Sequence, residues 1–161
     1  MENNKYVKIH SLLRMFAALL ALVVFISMFC AKQVVHSSGN AGLSFAFNTG
    51  VFFGDKDILI KGNVLAFIGY LLVFLGGLAG LAFVFIDELI GKDLTKLLSF
   101  VVGGVMAFGA LTILLVSPIF KAINELPNDF YTAAGPIVFG ILALIAGAAN
   151  AAAPILEDKG F

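Results

Sequence analysis

Charge is scarce in this sequence, and its absence is informative. Lys and Arg number 10 and Asp and Glu 10, so 12% of the residues are charged and the formal net charge is zero. An ordinary soluble domain carries about 25% charged residues. With 61% hydrophobic residues and a mean hydropathy of +1.06, the shortage excludes a soluble globular domain and a disordered chain. The balance of signs excludes the basic field that binds nucleic acid. Cysteine occurs once, as Cys30, so there is no internal disulfide. No Asn-x-Ser/Thr sequon occurs either, which points away from animal cell-surface loops and toward a bacterial plasma membrane.

What is present is apolar sequence in four blocks: Leu12 to Ala31, Val64 to Ile86, Leu97 to Ser117 and Ala133 to Ala153. Each is 20 to 23 residues long, against roughly 20 needed to cross the hydrocarbon of a bilayer as a helix. The blocks exclude every charged residue but Arg14. That residue lies near the start of the first block, and its guanidinium is expected to snorkel into the headgroups. Residues 1–161 thus read as a single all-α membrane domain, a four-transmembrane-helix bundle. In Ser27-Met28-Phe29-Cys30-Ala31, bulky Phe29 precedes the cysteine and no small-x-small pair precedes Ala31, so the first block reads as an uncleaved signal anchor.

Local signals mark the block ends. Asn63 is placed to cap the second helix, Gly91 to follow its end and Asp93 to cap the third, which makes Asp87 to Lys96 a helix hairpin. Pro118 is expected to close the third span, Pro136 to sit in the first turn of the fourth and Pro154 to end it. Lys and Arg count six to four in favour of the side holding both termini. The positive-inside rule therefore places the termini in the cytoplasm and residues 32–63 and 118–132 outside.

The first external loop, residues 32–63, has its own character. Leu43-Ser44-Phe45-Ala46-Phe47, Val51-Phe52-Phe53 and Ile58-Leu59-Ile60 are separated by Asn48-Thr49-Gly50 and Gly54-Asp55-Lys56-Asp57. Alternating apolar runs punctuated in this way predict a two- or three-stranded extracytoplasmic β-element. The competing reading is a re-entrant segment from Leu43 to Phe53. Phe45, Phe47, Phe52 and Phe53 form a candidate contact surface, expected to be docked rather than left in water. In the second loop, Ile119, Phe120, Ile123 and Leu126 fall on one helical face, as an interfacial helix or the frayed end of the third span.

Motifs for chemistry are missing. No Gly-x-Ser-x-Gly, His-Glu-x-x-His or Walker glycine loop occurs. His10 and His36 are expected on opposite sides of the membrane and so cannot share a metal site within one subunit. Asp87 with Glu88 reads as a hydrated interfacial anchor, Asp55 with Asp57 as a solvated turn. No cofactor and no enzymatic activity are expected.

The stronger pattern is steric. Gly69, Gly76, Gly77 and Gly80 recur in the second span, Gly103, Gly104, Ala107 and Gly109 in the third, and Gly140, Ala143, Gly147 and Ala151 in the fourth. Small residues three and four apart let helix backbones approach closely in a membrane, and the expected use is packing within one chain before packing between chains. Two polar sets are expected inside: Ser27, Tyr70 and Thr112 at similar depth, and Asn150 bonded to Ser99, Ser11 or an exposed carbonyl.

In plan, four spans with cytoplasmic termini and a β-like first loop, the chain is similar to claudins and other small tetraspan proteins. The likeness is one of architecture. The Trp-Gly-Leu-Trp and paired-cysteine motif of the claudin loop is absent, since there is no Trp and only Cys30, and no claudin residue carries over. The function expected from these features is a non-enzymatic scaffold, accessory or assembly subunit in the plasma membrane, acting through helix and loop contacts. Its partners would be membrane lipid and a membrane protein or further copies of itself. The alternative is a subunit of an oligomeric transporter or channel.

Overall fold

The computed structural model describes residues 8–37, 41–43, 50–52, 58–125 and 129–159; for 41–43, 50–52 and 58–60, and for Asp87 and Glu88, the backbone alone is described. Five helices result: α1 Ile9–Cys30, α2 Val64–Ile90, α3 Lys92–Leu114, α4 Val116–Asn124 and α5 Ala134–Asp158. All but α4 are long and apolar enough to cross a membrane.

Several ends differ from those the sequence suggests, each for a local reason. Helix α2 runs past Ile86 to Ile90, and the turn into α3 is the single residue Gly91 at φ 82°, a left-handed conformation that glycine adopts without penalty. Asp93 therefore lies in the first turn of α3 rather than capping it. Helix α3 breaks at Leu114, ahead of the expected Ser117, because Pro118 has no N–H for the Leu114 carbonyl and its ring crowds that oxygen. Pro118 instead occupies the first turn of α4, where an N–H is dispensable. Pro154 does not end α5, which continues to Asp158. The lost bond, to the Asn150 carbonyl, falls near the helix end and inside the packed interior, where neighbours hold the helix in register.

Each of α1 and α3 packs on both α2 and α5, giving a four-membered ring. Neighbours run antiparallel: Phe25 stacks on Phe74 with ring centroids 4.5 Å apart, and Arg14 lies near Phe83. On the α2/α3 seam Gly109 faces Gly69 while Met106 faces Gly76. The residues are distributed inside out relative to a soluble protein. Bulky Leu12, Phe16, Leu19 and Leu22 of α1 face outward, while Ala17, Ala21 and Val24 of the same helix are fully buried. That arrangement suits a lipid surround, where apolar bulk costs nothing outside and small residues permit close helix contact.

At one end, where α1 and α3 finish, lie the strands. β1 (Val34–His36) pairs antiparallel with both β2 (Ala41–Leu43) and β5 (Phe130–Thr132), in the order β2-β1-β5, while β3 (Gly50–Phe52) and β4 (Ile58–Ile60) form a separate hairpin. The β3–β4 pair matches the expected second and third runs of the first loop. Of the expected first run, Leu43-Ser44-Phe45-Ala46-Phe47, only Leu43 lies among the described residues, in β2, which pairs with β1. β5, from the second loop, was not anticipated by any alternation; its register, Val34 with Thr132, Val35 with Tyr131 and His36 with Phe130, joins the two loops. The end bearing these strands is called the sheet end below, and the end where α1 begins and α5 finishes the proximal end.

Candidate functional site

Both ends of the helix interior contain buried polar side chains, and an apolar layer separates them. At the proximal end the central residue is Arg14, which corrects the snorkelling expectation: it is 0% exposed and points into the interior. The reason lies in its register on α1. His10, Arg14, Ala17, Ala21, Val24 and Met28 are spaced by four and three, so Arg14 shares the small, inward face of the helix. Its Nη2 donates to Ser99 Oγ of α3 at 3.5 Å, and its guanidinium carbon sits 5.8 Å from the centroid of the Phe83 ring of α2, at the outer reach of a cation–π contact. His10, Thr95 and Ser99 are buried around it. Thr95 Oγ1 donates to the Gly91 carbonyl at 3.0 Å and fastens the first turn of α3.

Asn150 is 1% exposed and turned inward, but its partner is neither Ser99 nor Ser11. Its Nδ2 donates to the Met106 thioether at 3.1 Å, and its amide head fills the space a side chain at Gly80 would need. Asn150 of α5 thus reaches both α3 and, across the ring, α2.

The sheet end is tied differently. Tyr70, fully buried, donates from Oη to Gln33 Oε1 at 3.0 Å and has Ser27 as a second polar neighbour. Gln33 Nε2 donates to the Ala31 carbonyl at 2.9 Å. Asn63 caps α2, accepting the Ala66 N–H on Oδ1 at 3.0 Å, while its Nδ2 donates at 3.1 Å to the Val116 carbonyl beside the α3/α4 break. Ser117 Oγ donates to the Phe130 carbonyl at 2.9 Å. Thr112 Oγ1 donates to the Gly109 carbonyl of its own helix at 2.7 Å, so of the expected trio only Ser27 and Tyr70 are shown interacting. The missing member is Gln33, which lies outside every apolar block and carried no periodic signal.

The small residues lie at close helix crossings, among them Gly77 of α2 against Ala21 of α1. On the α2/α3 seam a methyl group on Gly109 would lie 2.6 Å from the Gly69 carbonyl oxygen, and one on Gly69 would meet Thr112; Gly76 faces Met106. On the α3/α5 seam a methyl group on Gly103 would lie 2.9 Å from the Gly147 carbonyl oxygen and one on Gly147 3.0 Å from that of Gly103, with Ala107 N 3.5 Å away. Gly140 receives Leu114, Gly80 receives Asn150, and Ala143 is fully buried. Gly104, grouped with these by spacing, faces outward with nothing within 4 Å. The expected contact residues Phe45, Phe47 and Phe53 lie outside the described residues, and of Phe52 only the backbone in β3 is described.

Between the polar layers Ala17, Ala21, Val24, Val73, Met106, Ala110, Ala143 and Ala146 are buried, all at 0%. Along α1 the distance from Arg14 to Ser27 is about 20 Å at 1.5 Å per residue. On the outer surface α1 and α2 flank a lateral groove of about 530 Å³ lined only by apolar side chains, among them Leu12, Phe16, Leu19, Phe74 and Leu78. Among the described residues no group of three or more His, Cys, Asp or Glu is placed to hold a metal ion. Cys30 is exposed at the last residue of α1. No protein-family model matches the chain, and neither a curated protein nor a solved structure matches it.

Proposed function

We propose that the chain is a non-enzymatic accessory or assembly subunit of a plasma membrane, most simply a bacterial one, with both termini cytoplasmic and the sheet end outside. The supporting observation is the apolar layer. Its eight fully buried side chains interrupt the polar interior between Arg14 and Ser27, so the polar groups among the described residues do not line a continuous path through one subunit. What remains for function is the outer surface: lipid-facing helices, the lateral groove and the loops at the sheet end. Purification in mild detergent, with mass measurement and identification of co-purifying proteins, tests this reading. A stoichiometric membrane-protein partner supports it; a partnerless chain that conducts a solute in liposomes refutes it. Sidedness is tested separately with cysteines at Ser37, Asp129 and Lys159 in a Cys30-free background. An impermeant thiol reagent should label the first two, and not the third, from outside intact cells.

One observation favours a second reading, a subunit of an oligomeric transporter or channel. Charged side chains buried within membrane-spanning segments commonly mark solute or ion pathways, and Arg14 is fully buried within a helix long and apolar enough to span a membrane. Under this reading Arg14→Gln abolishes liposome flux with the fold intact.

A further inference from the structure

Gln33 is buried where a loop leaves a helix, and it bonds in three directions. Its Nε2 holds the Ala31 carbonyl at the end of α1, its Oε1 receives the Tyr70 hydroxyl from α2, and its own carbonyl accepts the Ala133 N–H at 3.1 Å at the start of α5. Directly beyond it the β1–β5 register begins, and the pairing finishes at a bond from Ser37 N–H to the Asp129 carbonyl at 2.8 Å. The two loops are therefore joined by one uninterrupted series of backbone bonds, from Ala133 at the inner end to Ser37 at the outer.

The neighbouring α4 is anchored elsewhere. Asn63 holds its first residue, and Asn124 at its end grips the backbone of Lys61 in both directions, accepting from the Lys61 N–H at 2.7 Å and donating to its carbonyl at 3.2 Å. α4 is thereby fixed to the start of α2, and the β1–β5 pair rests on it through Phe120 against Phe130, 5.6 Å between ring centroids, and the Ser117 bond. Tyr70, bonded to Gln33 at the base of the pair, and its polar neighbour Ser27 are 0% and 4% exposed.

We propose that the β1–β5 pair is a strap across the sheet end that opens as one unit, with the Gln33–Tyr70 hydrogen bond as its latch, and that opening uncovers Tyr70 and Ser27 to solvent on that side. Three-residue strands carry few backbone bonds, so their local opening lies well below global unfolding in free energy. The latch ties the base of the strap to the interior of α2. The inference holds whichever function above is correct; in a transporter the strap would be the gate on that side.

Hydrogen exchange tests it, in detergent and on the full chain. The amides of Ser37 and Ala133, at opposite ends of the pairing, should exchange at the same rate in the unaltered protein. Gln33→Leu and Tyr70→Phe should each raise both rates together by about tenfold, the effect of losing one buried hydrogen bond, while the amides of Met106 and Ala146 keep theirs. Ser27→Cys, combined with Cys30→Ala, should react with a water-soluble maleimide faster by the same factor in each variant. Unequal acceleration of Ser37 and Ala133, no acceleration, or equal acceleration of the helix amides would overturn the proposal. Tyr70→Phe removes one hydroxyl and decides the matter alone if Gln33→Leu does not fold.

Discussion

The two polar layers are built from similar residue types but differ in what those residues hold. At the sheet end Ser27, Gln33, Asn63, Thr112 and Ser117 each donate to a backbone carbonyl, of Val24, Ala31, Val116, Gly109 and Phe130 respectively. Backbone acceptors are fixed by the helices and turns that carry them, so these bonds fasten elements in place. At the proximal end Arg14 reaches the Ser99 hydroxyl at 3.5 Å and Asn150 reaches a thioether, both side chain to side chain between different helices. Such partners move with their rotamers, and thioether sulfur is a weak acceptor. Outside this layer Lys92 pairs with Glu157 at 3.7 Å, and Lys96 pairs with Asp158; both link α3 to α5 on an exposed surface, where salt screens them. The sheet end is fastened mostly by bonds to the backbone, and the proximal layer is joined across its helices by bonds between side chains.

Arg14 gives the largest expected effect and the sharpest test of that difference. Arg14→Ala should lower stability in detergent by about 2–5 kcal/mol, the range for truncating a large, fully buried side chain. Thermal unfolding in a fixed detergent measures it, and a loss under about 1 kcal/mol would mean the proximal layer is not packed around this side chain. Arg14→Met keeps most of the volume: recovery assigns the loss to packing, and no recovery assigns it to the guanidinium's bonds. Next come the helix seams that both layers rest on. Gly109→Ala drives a methyl group against the Gly69 backbone, where the clash cannot be relieved by a rotamer, and should cost about 1–3 kcal/mol. Gly104→Ala, in open space, should be neutral or stabilising by up to about 1 kcal/mol. The same unfolding assay separates the two, and equal effects would refute the seam assignment.

Why the sequence shows some of this and hides the rest follows from which signals are local. Four long apolar helices are legible because apolar runs of 20 or more residues mark them directly, and Asn63 is legible as a cap because capping spans three residues. The Asn150 inward turn is legible from its polarity alone, but Met106 as its partner depends on the rotation of α3 relative to α5, which no spacing within either helix specifies. Arg14 was obscured by its distance from the chain's apolar centre, which suggests an interfacial residue. The signal that contradicts this is its alignment with Ala17 and Ala21, the narrow face of α1. β5 and Gln33 are invisible for another reason: a three-residue strand has too little alternation to register, and its pairing joins loops about a hundred residues apart.

At the sheet end the matching test is Asn63→Ala, which removes the α2 cap and leaves the Val116 carbonyl without its donor. The expected loss is about 1–2 kcal/mol, read as a lower unfolding temperature and as faster exchange of the Ala66 amide. Loss of amide protection limited to the first turn of α2, with α4 unaffected, would mean that the Val116 bond does not fasten α4 and that the sheet end is less tied than proposed.

The smallest loss of stability among the interior polar residues is expected from Asn150→Leu, and it bears directly on function. The side chain is close in size to leucine, so the space it fills against Gly80 stays occupied, and what is lost is the donation to the Met106 sulfur. Hydrogen bonds between helices in membranes average about 0.6 kcal/mol, and a thioether acceptor falls at the weak end. The variant should therefore remain folded and lose no more than about 1 kcal/mol in detergent. On the scaffold reading nothing else changes, because Ala143, Gly147 and Ala146 on the same helix extend no polar line from Asn150 toward the sheet end. On the transporter reading Asn150 is the deepest polar group beyond Arg14, next to the apolar layer that any solute must cross. Flux that disappears in Asn150→Leu while unfolding temperature and helix amide protection stay unchanged would establish the proximal layer as a solute site and end the scaffold reading; unchanged association with a co-purified partner, with no flux in either protein, would support the scaffold.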